Sequence, residues 1–393
     1  MSKNLEKSLN LHKPARKASK VSAVSVTEMN RSKLITFNRP KSLNAIDDKM
    51  IRVIYENLKA FGEQYDATDM IFIRGNDKVF SAGGNLQLFI DGMQNREKLS
   101  ILNNAIDLSY KALIQLSMFE KPTISLLDGL AVGLGACFGC SANIKIVTEN
   151  TLFGMPETTI GHFCDASSSY YFSRLKGYYG RYLTLCAALI KAEDLLHIGL
   201  ATHYVPSKRL SAMTEHLASL DTPSLHEIQQ EICKFTEELP AVGRLTSTPS
   251  ISQHEKQSII ENCFKFDTVE EIVAALDTEG SQFSLACKSK ILAGSPLAIK
   301  VTLELLRRAS SLSLTECIFL ESHLWKKDLS SYDFLEGCMS KINKRRPKWY
   351  PTQIQDLDLE RDVIVPHFDQ TASPDYAYLL CSDTALLEQK SKL

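Results

Sequence analysis

Two carboxylates eight residues apart could act together in acid–base or nucleophilic chemistry. Glu157 and Asp165 lie in the stretch MPETTIGHFCDASSS, residues 155–169, which a proline and a glycine interrupt. Paired carboxylates in a partly dry site can share the work of general base, nucleophile and proton donor. The same acids could also lie on an ordinary surface loop with no relation to each other. The rest of the chain has to decide between these two interpretations.

Two glycine-containing segments could supply the other half of such a site. They are SAGGN, residues 81–85, and DGLAVGLG, residues 128–135, and each follows a predicted strand. Glycine in a strand-to-helix turn lets backbone amides approach a ligand closely, and amides at the start of a helix carry positive potential. Two such amides that converge on one oxygen would form an oxyanion hole. Glycine loops often serve turn geometry alone, so this interpretation depends on the carboxylates.

Three other motifs give weaker signals. GLGACFG, residues 133–139, has one residue too many for a dinucleotide fingerprint and lacks the lysine of a phosphate loop. CFGC, residues 137–140, has redox-motif spacing, but its apolar surroundings and the lack of a second ligand pair favour packed thiols over thioredoxin-like or zinc chemistry. The basic stretch KINKRRPKW, residues 341–349, fits either a solvated helix end or a contact with a phosphate or an acidic partner.

The composition is typical of a soluble globular protein. The chain has 393 residues, of which 44% are hydrophobic and 23% charged, so a large domain with a smaller appendage is expected. A net charge of −1 argues against broad electrostatic binding to nucleic acid or to an anionic membrane. No apolar run approaches the length of a membrane span. The ten scattered cysteines suggest reduced thiols in a reducing compartment.

The first 25 residues differ from the rest of the chain. They contain six lysines and arginines against one acid, Glu6, together with several serines. A basic, hydroxylated and acid-poor start is typical of an organelle-import segment, and a disordered solvated tail fits equally well. The long apolar core of a secretory signal is lacking, so export is not expected.

Hydrophobic periodicity predicts the elements that would position these groups. It predicts hairpin strands at 21–26 and 33–37, a helix from Asp47, and further strands at 70–74, 123–127 and 144–147, with a helix at 99–117 between them. This alternation indicates an α/β core, in which loops that follow strands carry the site. Beyond about residue 200 the pattern is mostly helical, with amphipathic helices at 299–309 and 315–327.

Together these segments resemble the enoyl-CoA hydratase/isomerase (crotonase) superfamily, and within it the 3-hydroxyisobutyryl-CoA hydrolases. Residues 34–45 are similar to the opening strand and turn, 80–84 and 128–135 to the two oxyanion loops, and 155–169 to the hydrolase signature. The helical end is similar at 268–272, 295–296, 333–337 and 347–349. The resemblance implies a crotonase-type α/β spiral of β-β-α units over 26–200 and a helical C-terminal region over 201–350. A basic arm at 1–25 and an irregular tail at 351–393 would flank them.

The resemblance also implies a site. Its residues are catalytic Glu157 and Asp165, and oxyanion and substrate-binding Gly84, Leu134 and Ser109. Cys137 lies where hydratases carry a second glutamate, which favours the hydrolase branch. No metal or redox cofactor is implied, because coenzyme A arrives as part of the substrate. Several residues depart from the family pattern, and together these changes would narrow the pocket or alter its lining. An aspartate of the family is replaced by Asn85, and glycines of the family are replaced by Leu134, Ser167, Ser168, Ser169 and Ala187.

Two functions from different classes follow from this resemblance. The first is an acyl-CoA thioester hydrolase that acts in valine breakdown in the mitochondrial matrix. Such an enzyme could self-associate, and no membrane partner is expected. The second is a subunit of the mitochondrial ribosome small subunit that kept the fold and docks on ribosomal proteins or rRNA through its basic arm. The lost glycines fit the second function, whereas the retained Glu157 and Asp165 favour the first.

Overall fold

The computed structural model describes residues 22–63, 67–76, 79–239 and 251–368. The strands within these ranges are β1 (Val24–Met29), β2 (Ser32–Phe37), β3 (Met70–Gly75), β4 (Val79–Ser81), β5 (Thr123–Leu127), β6 (Leu130–Val132), β7 (Ile144–Val147), β8 (Leu152–Gly154), β9 (Leu189–Lys191) and β10 (His203–Tyr204). The helices are α1 (Asp48–Glu63), α2 (Leu86–Gln94), α3 (Arg96–Ser117), α4 (Leu134–Cys140), α5 (Ser168–Phe172), α6 (Tyr179–Leu185), α7 (Ala192–His197), α8 (Leu210–Ala218), α9 (Leu225–Cys233), α10 (Gln253–Cys263), α11 (Val269–Glu279), α12 (Gln282–Ala293), α13 (Pro296–Ala309), α14 (Leu314–Asp328) and α15 (Tyr332–Ile342).

The strands form two sheets between which the chain alternates. The large sheet has the order β1-β2-β3-β5-β7-β10, and the small one β4-β6-β8-β9. Neighbouring strands are parallel except in the β1–β2 hairpin and the β8–β9 pair. From β3 to β8, successive strands fall in the large sheet and then the small sheet before helical segments follow, as in β3-β4-α2-α3 and β5-β6-α4. This confirms the predicted α/β fold built from β-β-α units.

The central strands of the large sheet are buried on both faces, because helices cover each side. All five residues of β5 are buried, as are all six of β2. Alternate side chains enter different cores: Ile71 and Ile73 of β3 join the main cluster, whereas Phe72 packs with residues of α8 and α9. Near-continuous apolar runs are what two-sided burial of parallel strands requires.

The C-terminal helices α13, α14 and α15 pack against α2 and α3 through a third apolar cluster. Tyr110, Phe163, Trp325 and Phe334 belong to this cluster, which brings α14 and α15 over the loop that follows Glu157. The contact is close at Gly161, where an added Cβ would lie 2.2 Å from the carbonyl oxygen of Asp333. The helical region thus encloses the loop that carries the predicted carboxylates.

Several predicted boundaries differ from the structure. The hairpin turns at residues 30–31 because β1 ends at Met29, three residues later than predicted. The large sheet continues past residue 200 through β10, which pairs with β7. The predicted irregular tail contains a 3-10 turn at Ile354–Asp356 and a π-helix at Leu359–Phe368, which packs through Val363. Residues 1–21 of the basic arm and 369–393 of the tail lie outside the described residues.

Candidate active site

A cavity of about 630 Å³ lies where the strand ends, α3 and the C-terminal helices meet. Its lining is mostly apolar, with a few polar groups among the hydrophobic side chains, which is typical of a small-molecule site. All five residues that the sequence singled out line it, namely Gly84, Ser109, Leu134, Glu157 and Asp165. The structure therefore brings these residues together, although they are spread over 82 positions of the chain.

The two glycine loops meet backbone to backbone at one end of the cavity. An added Cβ on Gly83 would lie 2.9 Å from the Val132 carbonyl oxygen and 3.6 Å from the Leu134 nitrogen. Leu134 is the first residue of α4, and Gly133, which precedes it, has no side chain to cap the helix. The first N–H groups of a helix have no partner inside the helix. The start of α4 therefore lies against the loop that contains Gly84.

Glu157 begins a 3-10 turn, Glu157–Ile160, and its side chain lies against the second glycine loop. An added Cβ on Gly133 would lie 2.6 Å from Oε1, and the Cys164 thiol is 3.9 Å from Oε2. The residue is 6% exposed. Burial, and then the charge of Asp165, raise the pKa of the Glu157 carboxyl to about 8. A carboxyl with this pKa is poised to act as a base near neutral pH.

Asp165 accepts a hydrogen bond from one side chain and faces a second, and the sequence pattern predicted neither contact. The Trp325 Nε1 donates to Oδ2 at 2.6 Å, and His162 Nε2 lies 3.5 Å from the same oxygen. His162 Nδ1 in turn hydrogen-bonds Asp328. Trp325 and Asp328 are on α14, more than 150 residues along the chain from Asp165. The amphipathic pattern of α14 predicts a helix but gives no indication that Trp325 and Asp328 belong to a site. His162, in contrast, lies inside the motif of residues 155–169 and could have been predicted as a site residue.

Leu134 and Ser109 occupy the cavity wall without filling the cavity. Leu134 is half-buried and packs against the main apolar core, and space for a ligand remains beside it. The Ser109 hydroxyl donates to the Ala105 carbonyl on its own helix at 2.8 Å, so it is turned back toward the backbone. Ala187, which the resemblance places at a family glycine, lines the same cavity with a φ of 45°. The cavity therefore remains open beside these side chains.

The other sequence motifs have structural explanations. Asn85 caps α2, because its side chain accepts from the Gln87 amide. Cys137 and Cys140 are both buried as free thiols in α4, and burial raises the pKa of each. Arg345 in the basic stretch pairs with Glu336. Within the described ranges, no group of three or more His, Cys, Asp or Glu side chains is arranged to hold a metal ion, and no helix is long and apolar enough to cross a bilayer.

The serine run after Asp165 keeps a glycine-like backbone around a buried acid. Ala166 and Ser167 have φ values of 59° and 70°, in the left-handed region. The amides of Ser167 and Ser169 donate to Glu321 at 2.6 and 3.0 Å. Burial raises the pKa of the Glu321 carboxyl to about 8, and hydrogen bonds from the serine run oppose that shift. The run therefore anchors α14 beneath the site.

Ser167→Gly is expected to increase the free energy of unfolding by about 1 kcal/mol, since a left-handed conformation costs an L-residue about 1–2 kcal/mol. The Ser167 hydroxyl is also buried without a hydrogen-bond partner in the described structure, so its removal loses no bond. Urea unfolding would measure the change. Ser168→Gly is the control, because Ser168 begins α5 with an ordinary helical backbone and should lose stability. A loss of stability in Ser167→Gly would contradict this explanation.

Comparisons with known proteins agree on one family. A family model described as enoyl-CoA hydratase/isomerase matches residues 32–364. The mitochondrial 3-hydroxyisobutyryl-CoA hydrolase of Mus musculus is 33% identical over 335 residues, covering 82% of this chain and 83% of that protein. The small ribosomal subunit protein mS47 of Schizosaccharomyces pombe is 32% identical over 329 residues, covering 81% and 75%. The crystal structure of a carnitinyl-CoA dehydratase from Mycobacterium thermoresistibile superposes with a TM-score of 0.79 at 25% identity, covering 90% of this chain and 98% of that one.

Proposed function

The chain belongs to the enoyl-CoA hydratase/isomerase family, and from that premise we propose that it is a thioester hydrolase that acts on 3-hydroxyisobutyryl-CoA. The observation that carries the proposal is the position of Glu157 against the second glycine loop in an open cavity of about 630 Å³. A hydration reaction would need a second acid at the position of Cys137, where the thiol is buried and burial raises its pKa. The absence of an acid at residue 137 therefore favours hydrolysis over hydration.

In the proposed reaction the amides of Gly84 and Leu134 bind the thioester carbonyl oxygen. As negative charge develops on this oxygen, each donor stabilises the transition state, and loss of one such donor typically costs about 3–4 kcal/mol. The Glu157 carboxylate attacks the carbonyl carbon or activates the water that does so. Asp165 orients the substrate hydroxyl or the water and handles the proton. The C–S bond then breaks, and coenzyme A takes up the proton and leaves as the thiol. If Glu157 attacks directly, water then hydrolyses the mixed anhydride that it forms with the acyl group, and on either route the free 3-hydroxyisobutyrate is released.

The supporting geometry extends to the mouth of the cavity. Lys341, an exposed residue on α15, is among the residues that line it. A lysine is a compact positive charge that suits the phosphate groups of coenzyme A outside the pocket. Coenzyme A enters the site as part of the substrate, and the proposed reaction uses no other cofactor.

The direct test is to measure free thiol release from 3-hydroxyisobutyryl-CoA with purified protein. Isobutyryl-CoA, which lacks the hydroxyl, is the matched control substrate, because Asp165 is proposed to orient that hydroxyl. Hydrolysis of the hydroxylated thioester at a higher kcat/KM than its analogue supports the proposal. Equal kcat/KM values would remove the role of Asp165 in orienting the substrate hydroxyl and leave only its role toward the water, and no hydrolysis of either thioester would contradict the function.

The kcat/KM of hydrolysis is expected to rise with pH around a midpoint near the pKa of Glu157, about 8. The reason is that only the deprotonated carboxylate can attack or act as a base, and burial keeps the carboxyl protonated below this pH. The measurement is kcat/KM from pH 6 to 9.5, with the uncatalysed hydrolysis at each pH subtracted. A profile that is flat over this range would mean that Glu157 is not the titrating base.

A second function is favoured by the relative named small ribosomal subunit protein mS47. On this alternative, the protein binds the small subunit of the mitochondrial ribosome, with the basic arm as one contact. Co-sedimentation with mitochondrial ribosomal particles, with and without residues 1–21, would test it. Several relatives carry "mitochondrial" in their names, and we propose the mitochondrial matrix as the site of both functions. Self-association stays a prediction.

A further inference from the structure

The side chain of His162 lies between the carboxylate of Asp165, a member of the proposed catalytic pair, and the carboxylate of Asp328. Its Nδ1 hydrogen-bonds Asp328, and its Nε2 lies 3.5 Å from Oδ2 of Asp165. The residue is 3% exposed, and its ring stacks on Phe334 with centroids 4.5 Å apart and contacts Trp325 at 4.3 Å. When protonated on both nitrogens, the imidazole presents an N–H toward each carboxylate. The hydrogen bond to Asp328 and the ring contacts therefore fix the orientation of this ring, whereas Nε2 faces Asp165 and makes no hydrogen bond within the described residues.

Charged groups reach His162 from each side. Burial lowers the pKa of His162, but the charges of Asp328 and Asp165 outweigh this effect and raise it to about 10. Glu157 also interacts with this charge, and His162 in turn lowers the pKa of Glu157. The titratable groups that interact with Asp328 from the surrounding elements are Asp333, Cys338 and His367. The ring thus contacts the carboxylates of Asp328 and Asp165, and its charge also acts on Glu157.

Oδ2 of Asp165 is fully engaged by this arrangement. It accepts from Trp325 Nε1 at 2.6 Å and faces His162 Nε2. Within the described ranges, Oδ1 of Asp165 receives no hydrogen bond, and Asp165 lines the cavity. One oxygen is therefore held by the protein and the other is left for a ligand.

We propose that His162, held by its hydrogen bond to Asp328, is a positioning residue that keeps the Asp165 carboxylate turned toward the substrate. The expected effect of His162 on catalysis rests on the proposed hydrolase function, whereas its contacts with Asp328 and Asp165 do not. His162 contacts Asp165 and not the reacting atoms, so it acts through the carboxylate pair. Its loss should change how the pair titrates as well as how fast it works.

The arrangement can be tested by following the histidines of the full chain by NMR after ¹³C and ¹⁵N labelling. The His162 signal is identified by its absence in His162→Gln. It is expected to remain protonated at pH 8, and its midpoint should fall by about one unit or more in Asp328→Asn and in Asp165→Asn, because each removes a nearby negative charge. His323, which lies on α14 like Asp328, is the internal control. Burial lowers its pKa, and neither variant should change its titration midpoint.

The consequence is tested by the pH dependence of kcat/KM in His162→Gln, with His323→Gln as the matched control. Loss of the positive charge leaves Glu157 facing Asp165 alone, so the acidic limb is expected to move upward by about one unit. A lower rate with an unmoved limb would indicate a structural role and overturn the proposal. So would an NMR midpoint near 6.5 in the wild type, or one that Asp165→Asn leaves unchanged. If the wild type hydrolyses no thioester, the proposed function fails and the NMR result alone decides about His162.

Discussion

Glu157→Gln is expected to reduce kcat/KM for thioester hydrolysis by about 10³-fold or more. The amide has nearly the same shape as the carboxyl but can neither attack a carbonyl carbon nor accept a proton from water. Glu157 lies against the loop that contains Gly133 and lines the cavity with Asp165, so its loss removes the central group of the proposed reaction. The measurement is kcat/KM at pH 8.5 against wild type. Glu193→Gln, an exposed acid at the start of α7, is the matched control and should have no effect.

The same variant is expected to be more stable than the wild type at high pH. The pKa of Glu157 is raised from 4.5 to about 8 in the folded protein, so the fold favours the neutral form. The resulting destabilisation is absent below pH 4.5, grows as the pH rises, and is complete above pH 8. Glutamine removes it, so the gain in Tm should be larger at pH 8.5 than at pH 5. Reduced activity together with reduced stability at both pH values would instead indicate a structural defect.

Gly133→Ala is expected to reduce kcat/KM by about 10²-fold or more, since small displacements of reacting groups can have effects of this size. The added Cβ would lie 2.6 Å from the Glu157 Oε1, so the carboxylate has to move. Gly133 also has a φ of 55° and a ψ of −133°, which residues with a Cβ avoid. Steady-state kinetics would measure the loss.

Gly199→Ala separates the two effects in Gly133→Ala. Gly199 also has a positive φ, 74°, but an added Cβ would meet no atom within 4 Å. This control should lose stability, by about 1 kcal/mol, and retain its kcat/KM. If both variants lose activity equally after correction for the folded fraction, backbone strain and not displacement of Glu157 explains the result.

Five of the six strands of the large sheet could be predicted from the sequence, because they have four to six residues each, whereas β10 has only two and was not predicted. β3, β5 and β7 were each located to within a residue, since two-sided burial leaves a clear hydrophobic run. The small sheet was not predicted from periodicity, because β4, β6, β8 and β9 have only three residues each. Three residues cannot display a two-residue period. The resemblance to a family, and not the pattern, supplied the β-β-α unit.

The site, like the fold, has some parts that could be predicted from the sequence and others that could not. Glu157 and Asp165 could be found because they lie in one short motif, and the glycine loops because glycines mark turns. Trp325 and Asp328 could not, since their contact with the motif depends on how α14 docks over residues 162–165. The serine run was identified as a departure from the family, but its left-handed backbone and its bonds to Glu321 required the structure.

The central claim, that this chain hydrolyses an acyl-CoA thioester through Glu157, is tested most directly by one comparison. The initial rate of free coenzyme A release from 3-hydroxyisobutyryl-CoA is measured at pH 8.5 for the wild type and for Glu157→Gln, with both proteins shown to be folded. The account predicts steady release by the wild type and release near the uncatalysed rate by the variant. Equal rates for the two proteins, or no release above the uncatalysed rate by the folded wild type, would contradict it.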